Sequence, residues 1–293
     1  FFFDASVGGG IPLIKPLLAW LSANEIDEIA GILNGTTNFI LTKMIRDGMD
    51  FDEALKIAQQ LGYAEHDPTA DVEGIDACRK ICILASLAFG RHIYPENVHT
   101  EGITRVTLQD VEYMESCDSK IKLIGCARRE DGGNISIGVF PAVIKDESQL
   151  AGVNDVFNAI LVRGDATGDV VFYGKGAGKL PTASAVVSDI ISAVKHAETS
   201  RSLTWADSDQ SFVLPFECFN CANYIRLKAK NTDVTKAVVK AVYGDVEYLS
   251  SKNQPENEIA FITPLMTEKD ALSACQKVSD GAEILGRIRV LDY

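Results

Sequence analysis

From Val72 to Phe89 the apolar residues Ile75, Ala77, Ile81, Cys82, Leu84, Ala85 and Leu87 recur at helical spacing, and Gly90 closes the run. The pattern predicts a largely buried helix, which needs a sizeable core around it. A chain of 293 residues supplies the material, since ordinary domain sizes suggest about two domains. With 46% hydrophobic and 24% charged residues, the composition is that of a globular protein and sets global disorder aside. A net charge of -13 without a basic stripe argues against nucleic acid as the main partner, because phosphate backbones are held by clustered Lys and Arg. No apolar run approaches the ~20 residues that span a bilayer, and no charged n-region of a signal peptide opens the chain, so no membrane partner is expected.

Seven cysteines stand in no regular framework, an odd count that suits a reducing cytoplasm. Cys218-Phe219-Asn220-Cys221 has half of a zinc spacing, but no second pair or nearby His completes a tetrahedral site. Buried thiols are the simpler reading. The opening Phe1-Phe2-Phe3-Asp4, without methionine, cap or turn, reads as a strand continuing from something upstream.

Along the chain, Gly8 to Gly10 release the backbone, and Pro12 suits the first turn of a helix over Ile11–Asn24. Ile26–Leu33 alternates as a half-buried strand does, and Asn34–Asn38 leads into a helix Phe39–Arg46. Asp52 and Glu53 open another helix that stops at Gly62. Beyond the buried helix, Leu108–Ser116 reads as a helix, while Ile121–Arg128 and Asn134–Ile144 read as strands of a hairpin around Glu130-Asp131-Gly132-Gly133. Val156–Arg163 and Asp169–Tyr173 follow as strands, then a helix Thr182–His196, then polar, unpatterned Glu198–Asp209. The fold class is α+β: a mixed sheet with helices on one face over residues 1–198, a linker over 199–215, and a second unit over 216–293. That unit runs strand Tyr224–Lys230, helix Val234–Tyr243, strands Val246–Ser251 and Glu258–Thr263, helix Glu268–Val278, strand Glu283–Val290. The order is the ferredoxin-like βαββαβ.

Between the stop at Gly62 and the buried helix, the segment Gly62–Lys80 packs seven ionisable side chains together with His66. Asp76 and Lys80 are four apart and share one helical face. Spacing alone favours a solvated salt bridge, against a buried acid–amine pair in which each group polarises the other. His66 reads as a loop surface residue. Gly35 and Thr36 lie where a strand gives way to a helix, a place suited to offering N–H groups and a hydroxyl to a ligand carboxylate. Thr36 equally suits capping a helix Thr37–Arg46. Gly174–Gly178 has neither a Lys-Ser/Thr tail nor G-x-G-x-x-G spacing, which excludes a phosphate loop.

These residues resemble the homoserine dehydrogenase family. Its pattern is Gly-Tyr-Ala-Glu, an intervening Asp-Pro, then Asp-x-x-Gly-x-Asp with a Lys four residues on, and Gly62–Lys80 matches every position. The likeness also takes in Ala5–Pro12, Gly31–Ile40 and Gly174–Asp189, so it covers roughly the first two hundred residues. The resemblance implies NAD(P)-dependent interconversion of L-aspartate 4-semialdehyde and L-homoserine, a step toward threonine and methionine, with NAD or NADP as cofactor. It implies Lys80 as the proton donor in reduction, Asp76 as the group fixing Lys80 or the substrate hydroxyl, and Glu65 as the holder of the substrate ammonium. Asp71 is a second-tier substrate contact beside Gly35 and Thr36 of the strand-to-helix junction, and by resemblance Gly178 contacts the nicotinamide cofactor. The glycine loop resembles the family's monovalent-cation site. Val7, Gly9 and Ile11 match its carbonyl positions, and Asp4 stands where Glu is usual, one methylene shorter; a sodium-like ion and an empty structural turn both remain open.

The helix after Gly178 is implied to pack on a dinucleotide-binding domain. These residues hold no Gly-rich βαβ unit of that kind, so the domain, with one further family lysine, is expected ahead of Phe1, and the chain alone is expected to be weak or inactive. Residues 216–293 resemble an ACT domain. Such domains often carry Asp-Gly at the first strand–helix turn, where Asn231-Thr232-Asp233-Val234 keeps the acid without the glycine. An amino-acid effector and a purely dimerising role are both open there, and a homodimer is expected. The rival to an enzyme is a non-catalytic regulatory or dimerising protein, against which Glu65, Asp76 and Lys80 all stand intact.

Overall fold

The computed structural model describes residues 1–19, 23–196, 205–209 and 211–293. In chain order the strands are β1 (Ile26–Ile32), β2 (His99–Thr100), β3 (Ser119–Arg129), β4 (Ile135–Lys145), β5 (Phe157–Gly164), β6 (Gly168–Lys175), β7 (Asn220–Ala229), β8 (Glu247–Leu249), β9 (Glu258–Ile262), β10 (Met266–Thr267) and β11 (Ala282–Val290). The helices are α1 (Ile14–Ala19), α2 (Gly35–Asp47), α3 (Phe51–Gln60), α4 (Thr69–Val72), α5 (Ile75–Phe89), α6 (Leu108–Glu115), α7 (Lys179–Lys195), α8 (Thr232–Tyr243) and α9 (Glu268–Ser279).

The expected hairpin organises the sheet. Gly132 and Gly133 both take a φ of 82°, which turns the chain tightly enough for β3 and β4 to pair from Ser119–Lys145 to Arg129–Ile135. Pairing continues outward in the order β6-β5-β1-β3-β4-β11-β7-β9-β8, antiparallel at every step except the parallel join of β4 to β11. The sheet is therefore mixed, and both of its faces around β3 are apolar. One face receives α1, α2, α5 and α6, through residues such as Leu17, Phe39, Ile81 and Val111 against Ile29, Ile121 and Val139. The other face is covered by the irregular stretch Leu150, Ala151 and Val153 and by Phe219 and Leu291, and among the described residues no α-helix joins that cluster.

Three local expectations change. The first helix spans only Ile14–Ala19 with Pro16 in its first turn, and residues 20–22 of the predicted helix lie outside the described residues. The helix expected to start at Val72 is two helices, because Gly74 adopts a φ of 79° and breaks α4 from α5. α2 begins at Gly35, capped by Asn34 rather than by Thr36. At the α4–α5 corner the segment after β2 passes very close: a Cβ on Gly102 would lie 2.0 Å from the Val72 carbonyl oxygen, so no side chain fits there.

The C-terminal strands run β11-β7-β9-β8 with α8 and α9 packed on them, so the βαββαβ order forms one end of the same sheet. Arg226 joins this end to the rest, 2.9 Å from Asp110 and donating to Thr107 at 3.0 Å. In the preceding segment, residues 199–204 and 210 lie outside the described residues. Ala206 exchanges backbone hydrogen bonds with Gly90 and His92, and Phe212 and Leu214 with Ile135.

Lys122 on β3 is fully buried. Its ammonium donates to Asn38 Oδ1 at 3.1 Å and to the Val153 carbonyl, and burial pushes its pKa from 10.5 down to about 7. Between those values the unfolded chain holds a proton that the folded one has released, so folding gains stability as pH rises across the window. In urea unfolding the wild type should gain stability from about pH 7 to about pH 9.5, and Lys122→Met should flatten that rise. An unchanged slope in the variant would show that another group governs it.

Candidate functional site

β1 delivers the chain to Asn34, whose side chain turns both ways. Its Oδ1 accepts from the Thr37 N–H at 2.9 Å and from the Thr37 hydroxyl at 3.1 Å, which caps α2. Its Nδ2 donates to Asp71 Oδ1 at 2.7 Å and to Asp76 Oδ2 at 2.9 Å. Lys80, one turn on from Asp76, donates to the same Asp76 oxygen at 2.7 Å and to the Leu33 carbonyl at 3.1 Å. Side-chain exposures of 19% for Lys80 and 32% for Asp76 place the pair at the edge of the core, between the two readings that spacing left open.

Asp71, Asp76 and Lys80 are thus brought together. Burial pushes the Asp71 carboxyl above its ordinary value and the Asp76 charge adds to this, while hydrogen bonding from Asn34 and the Lys80 charge pull the other way. Thr36 donates its hydroxyl to the Tyr63 carbonyl at 2.7 Å, and the Tyr63 ring stands edge-on to Phe39 with centroids 5.0 Å apart. These contacts pin the loop that carries Glu65, whose side chain is exposed and whose carbonyl accepts from Gln59 Nε2 at 3.1 Å. At Gly35 a Cβ would lie 2.9 Å from the Val156 carbonyl oxygen, so only glycine lets the two backbones meet. His66 is exposed.

The remaining residues singled out in the sequence form a second cluster. Gly10 N–H donates to the Lys175 carbonyl at 3.0 Å, and a Cβ on Gly9 would lie 2.7 Å from the Gly176 oxygen, so the first glycine loop lies flat on the second. Val7 and Ile11 are buried under this contact. Gly178 precedes α7 with φ 125° and ψ 154°, a conformation that glycine alone adopts readily. Asp4 donates its N–H to Asp189 Oδ2 at 3.0 Å, and Lys15 Nζ lies 2.9 Å from carboxylate oxygens of both Asp4 and Asp189. Burial raises the Asp4 carboxyl, opposed by Lys15 and reinforced by Asp189. α1, which carries Lys15, lies against α5.

Asn34 is the residue that sequence reasoning missed. Its place three residues before Thr37, at a strand-to-helix junction, was a capping signal, but its bonds to Asp71 and Asp76 span 37 and 42 positions and carry no local mark. Among the described residues no group of three or more His, Cys, Asp or Glu side chains could hold a metal ion, and no helix is long and apolar enough to cross a membrane. Cys221 is buried and Cys218 exposed.

The homoserine dehydrogenase family model matches residues 12–191. The chain belongs to that family. A homoserine dehydrogenase from Bacillus subtilis is 37% identical over 290 residues, covering 95% of this chain and 66% of the relative. One from Synechocystis is 53% identical over 194 residues, 65% of this chain and 45% of the relative, and one from Pseudomonas aeruginosa is 39% identical over 98% of this chain and 70% of its own length. The chain thus spans between about half and about two thirds of the curated family members it matches. Among solved structures, a homoserine dehydrogenase from Thiobacillus denitrificans superposes with a TM-score of 0.88 at 38% identity, covering 99% of this chain and 69% of that one. A hyperthermophilic archaeal member, solved as a mutant in complex with NADPH, superposes with a TM-score of 0.56 at 34% identity, over 66% of this chain and 55% of its own.

Lys15→Met strips the cation from between Asp4 and Asp189. The melting temperature should fall at neutral pH, and the deficit should narrow as the pH is lowered and the Asp4 carboxyl, raised by burial, takes up its proton. A deficit that stays constant with pH would assign the effect to packing of the lysine stem instead.

Proposed function

We propose that the protein carrying this chain interconverts L-aspartate 4-semialdehyde and L-homoserine with NAD or NADP, and that Lys80 passes the proton to and from the substrate oxygen. One observation carries the reading. A lysine ammonium has three N–H donors, and Lys80 directs two of them to Asp76 and the Leu33 carbonyl. The third is left for a carbonyl or hydroxyl oxygen, and the flanking carboxylate holds the amine in place.

The substrate's other groups find partners nearby. In the first turn of α2 the Thr37 N–H is taken by the Asn34 side chain and the Asn38 N–H by the Asn34 carbonyl. The N–H groups of Gly35 and Thr36 are then free to receive the substrate carboxylate at the positive end of the helix. Glu65, exposed on a loop fastened to Thr36, receives the substrate ammonium, and Asp71 lies within the same cluster as a further polar contact.

The dinucleotide, when bound, supplies or accepts the hydride at the substrate carbon. Gly178 fits one edge of it, since its backbone opens α7 without a side chain in the way. α7 also shows six large apolar residues to solvent, from Leu180 at 78% exposure to Val194 at 73%. That face supports packing against a nucleotide-binding unit. A monovalent cation at the glycine loop would draw on the carbonyls of Val7, Gly9 and Ile11, because the Asp4 carboxylate is engaged by Lys15. We read 1–198 as the substrate domain, 199–215 as a linker and 216–293 as an ACT-like unit that dimerises or takes an amino-acid effector, in a cytoplasmic homodimer.

Consumption of NADH or NADPH dependent on aspartate semialdehyde tests the activity, and calorimetry with homoserine tests the site in the chain itself. Lys80→Met should lower kcat by about 10²–10⁴-fold with little change in KM, whereas Glu65→Gln should act mainly on KM. Full turnover in Lys80→Met, or no turnover together with no homoserine binding in the wild type, would overturn the proposal.

A further inference from the structure

The amide of Asn34 has no freedom to turn over. The Thr37 N–H can only donate, so Asn34 must present its oxygen to the helix, and both Nδ2 hydrogens are thereby aimed away from α2. On that side stand the carboxylates of Asp71 from α4 and Asp76 from α5, at 2.7 and 2.9 Å. Two donors meet two acceptors, and the Lys80 ammonium reaches the same Asp76 oxygen. Two neighbouring carboxylates repel, and burial makes the repulsion costlier. Lys80 offsets it from one side, and the amide does so from the other without adding a charge.

From this we infer that Asn34 is a positioning residue, which holds Asp71 and Asp76 side by side and so fixes the direction of the Lys80 ammonium. Its role in turnover rests on the function proposed above; its effect on the carboxylates does not. The helix cap is the alternative role, and the two roles separate chemically. Ser accepts from the N–H of the third residue as well as Asn does, and Asp is isosteric with Asn and caps equally well. Neither offers the two donors. Asn34→Ser therefore deletes the bridge, and Asn34→Asp replaces it with a third negative charge while keeping shape and cap.

The deciding measurement is a ¹³C carboxyl NMR titration of Asp71 and Asp76 in the wild-type chain and both variants, with melting temperatures alongside. Losing the donor should raise the Asp71 midpoint by about one pH unit in Asn34→Ser and by more in Asn34→Asp. The melting temperature of Asn34→Ser should stay within a few degrees of the wild type, as expected where a cap is retained, whereas the added charge of Asn34→Asp should lower it further. In the enzyme assay, kcat should fall about 10–100-fold with KM changed less than about threefold, and the acidic limb of the pH profile should move upward. Asn34→Gln, which keeps the donors on a longer arm, should recover part of kcat. Unmoved carboxyl titrations overturn the inference, as does a loss of kcat in Asn34→Ser that comes with a large fall in its melting temperature. A wild type without turnover sinks the proposed function alone, because the titrations still decide what Asn34 does to its neighbours.

Discussion

The close approach of α5 to the sheet is the constraint on which the rest depends. At Gly125 on β3 a Cβ would lie 3.0 Å from Leu33 and 3.3 Å from Ile81, so the absence of a side chain there brings the helix down beside the end of β1. Only at that separation does the Lys80 ammonium reach the Leu33 carbonyl while Asp76 reaches the Asn34 amide. The entry to α5 is fixed in the same way. Gly74 turns left-handed, a Cβ on it would meet the Glu101 carbonyl oxygen at 3.2 Å, and the backbone at Gly102 fills the remaining space. Asp71 and Asp76 flank that corner, so backbone packing brings both carboxylates within reach of the one Asn34 amide.

The same corner ties the site to the C-terminal strands. Glu101 follows β2 and accepts two hydrogen bonds from Arg289 of β11, at 2.8 and 3.0 Å, and a contact from His99 at 2.6 Å. Burial alone would raise the Glu101 carboxyl, but His99 and Arg289 override it and hold it well below the usual carboxylate range. Arg289 also binds Glu268 of α9 and lies over the neighbouring rings of Phe140 and Phe216, 4.6 and 4.9 Å from their centroids. Ions so buried contribute little net stability, because desolvation offsets their attraction. Their effect is registry: the planar guanidinium accepts few orientations, and it locks β11 onto β4 where only two residue pairs form the parallel join.

Sequence periodicity made most elements legible, since strands and helices in a well-packed core must repeat at their own spacing. The hairpin of β3 and β4 and the helix through Ile81 are of this kind. Errors fell where one residue overrode the pattern: Gly74 divides what reads as a continuous helix, and Asn34 caps a helix that Thr36 was equally fit to cap. The sheet's continuity through β4 and β11 was beyond reach, because its parallel contact joins positions some 150 residues apart through two pairs and leaves no periodic trace. At the site, the Asp76–Lys80 pair was visible because helical spacing is local. Its degree of burial was not, since that depends on Gly125 and on the corner at Gly102.

The two inward lysines show why environment has to be read together with geometry. Burial pushes Lys122 to about 7, a shift that often marks a catalytic amine. Yet Lys122 donates to Asn38 Oδ1 and to the Val153 carbonyl in a sealed interior, and Asn38 in turn donates to the Val153, Asp155 and Phe157 carbonyls. It fastens the β4–β5 connection to α2, and that connection carries the Val156 carbonyl lying against Gly35. A pKa lowered this far suits the task, as the amine donates to uncharged oxygens and burial eases its loss of charge. Lys80 lies at the rim with one donor uncommitted and a carboxylate at its side, the arrangement on which its proposed role rests. The most perturbed lysine therefore supports the backbone beneath α2, and the more accessible one carries the free donor that the proposed function assigns to the substrate.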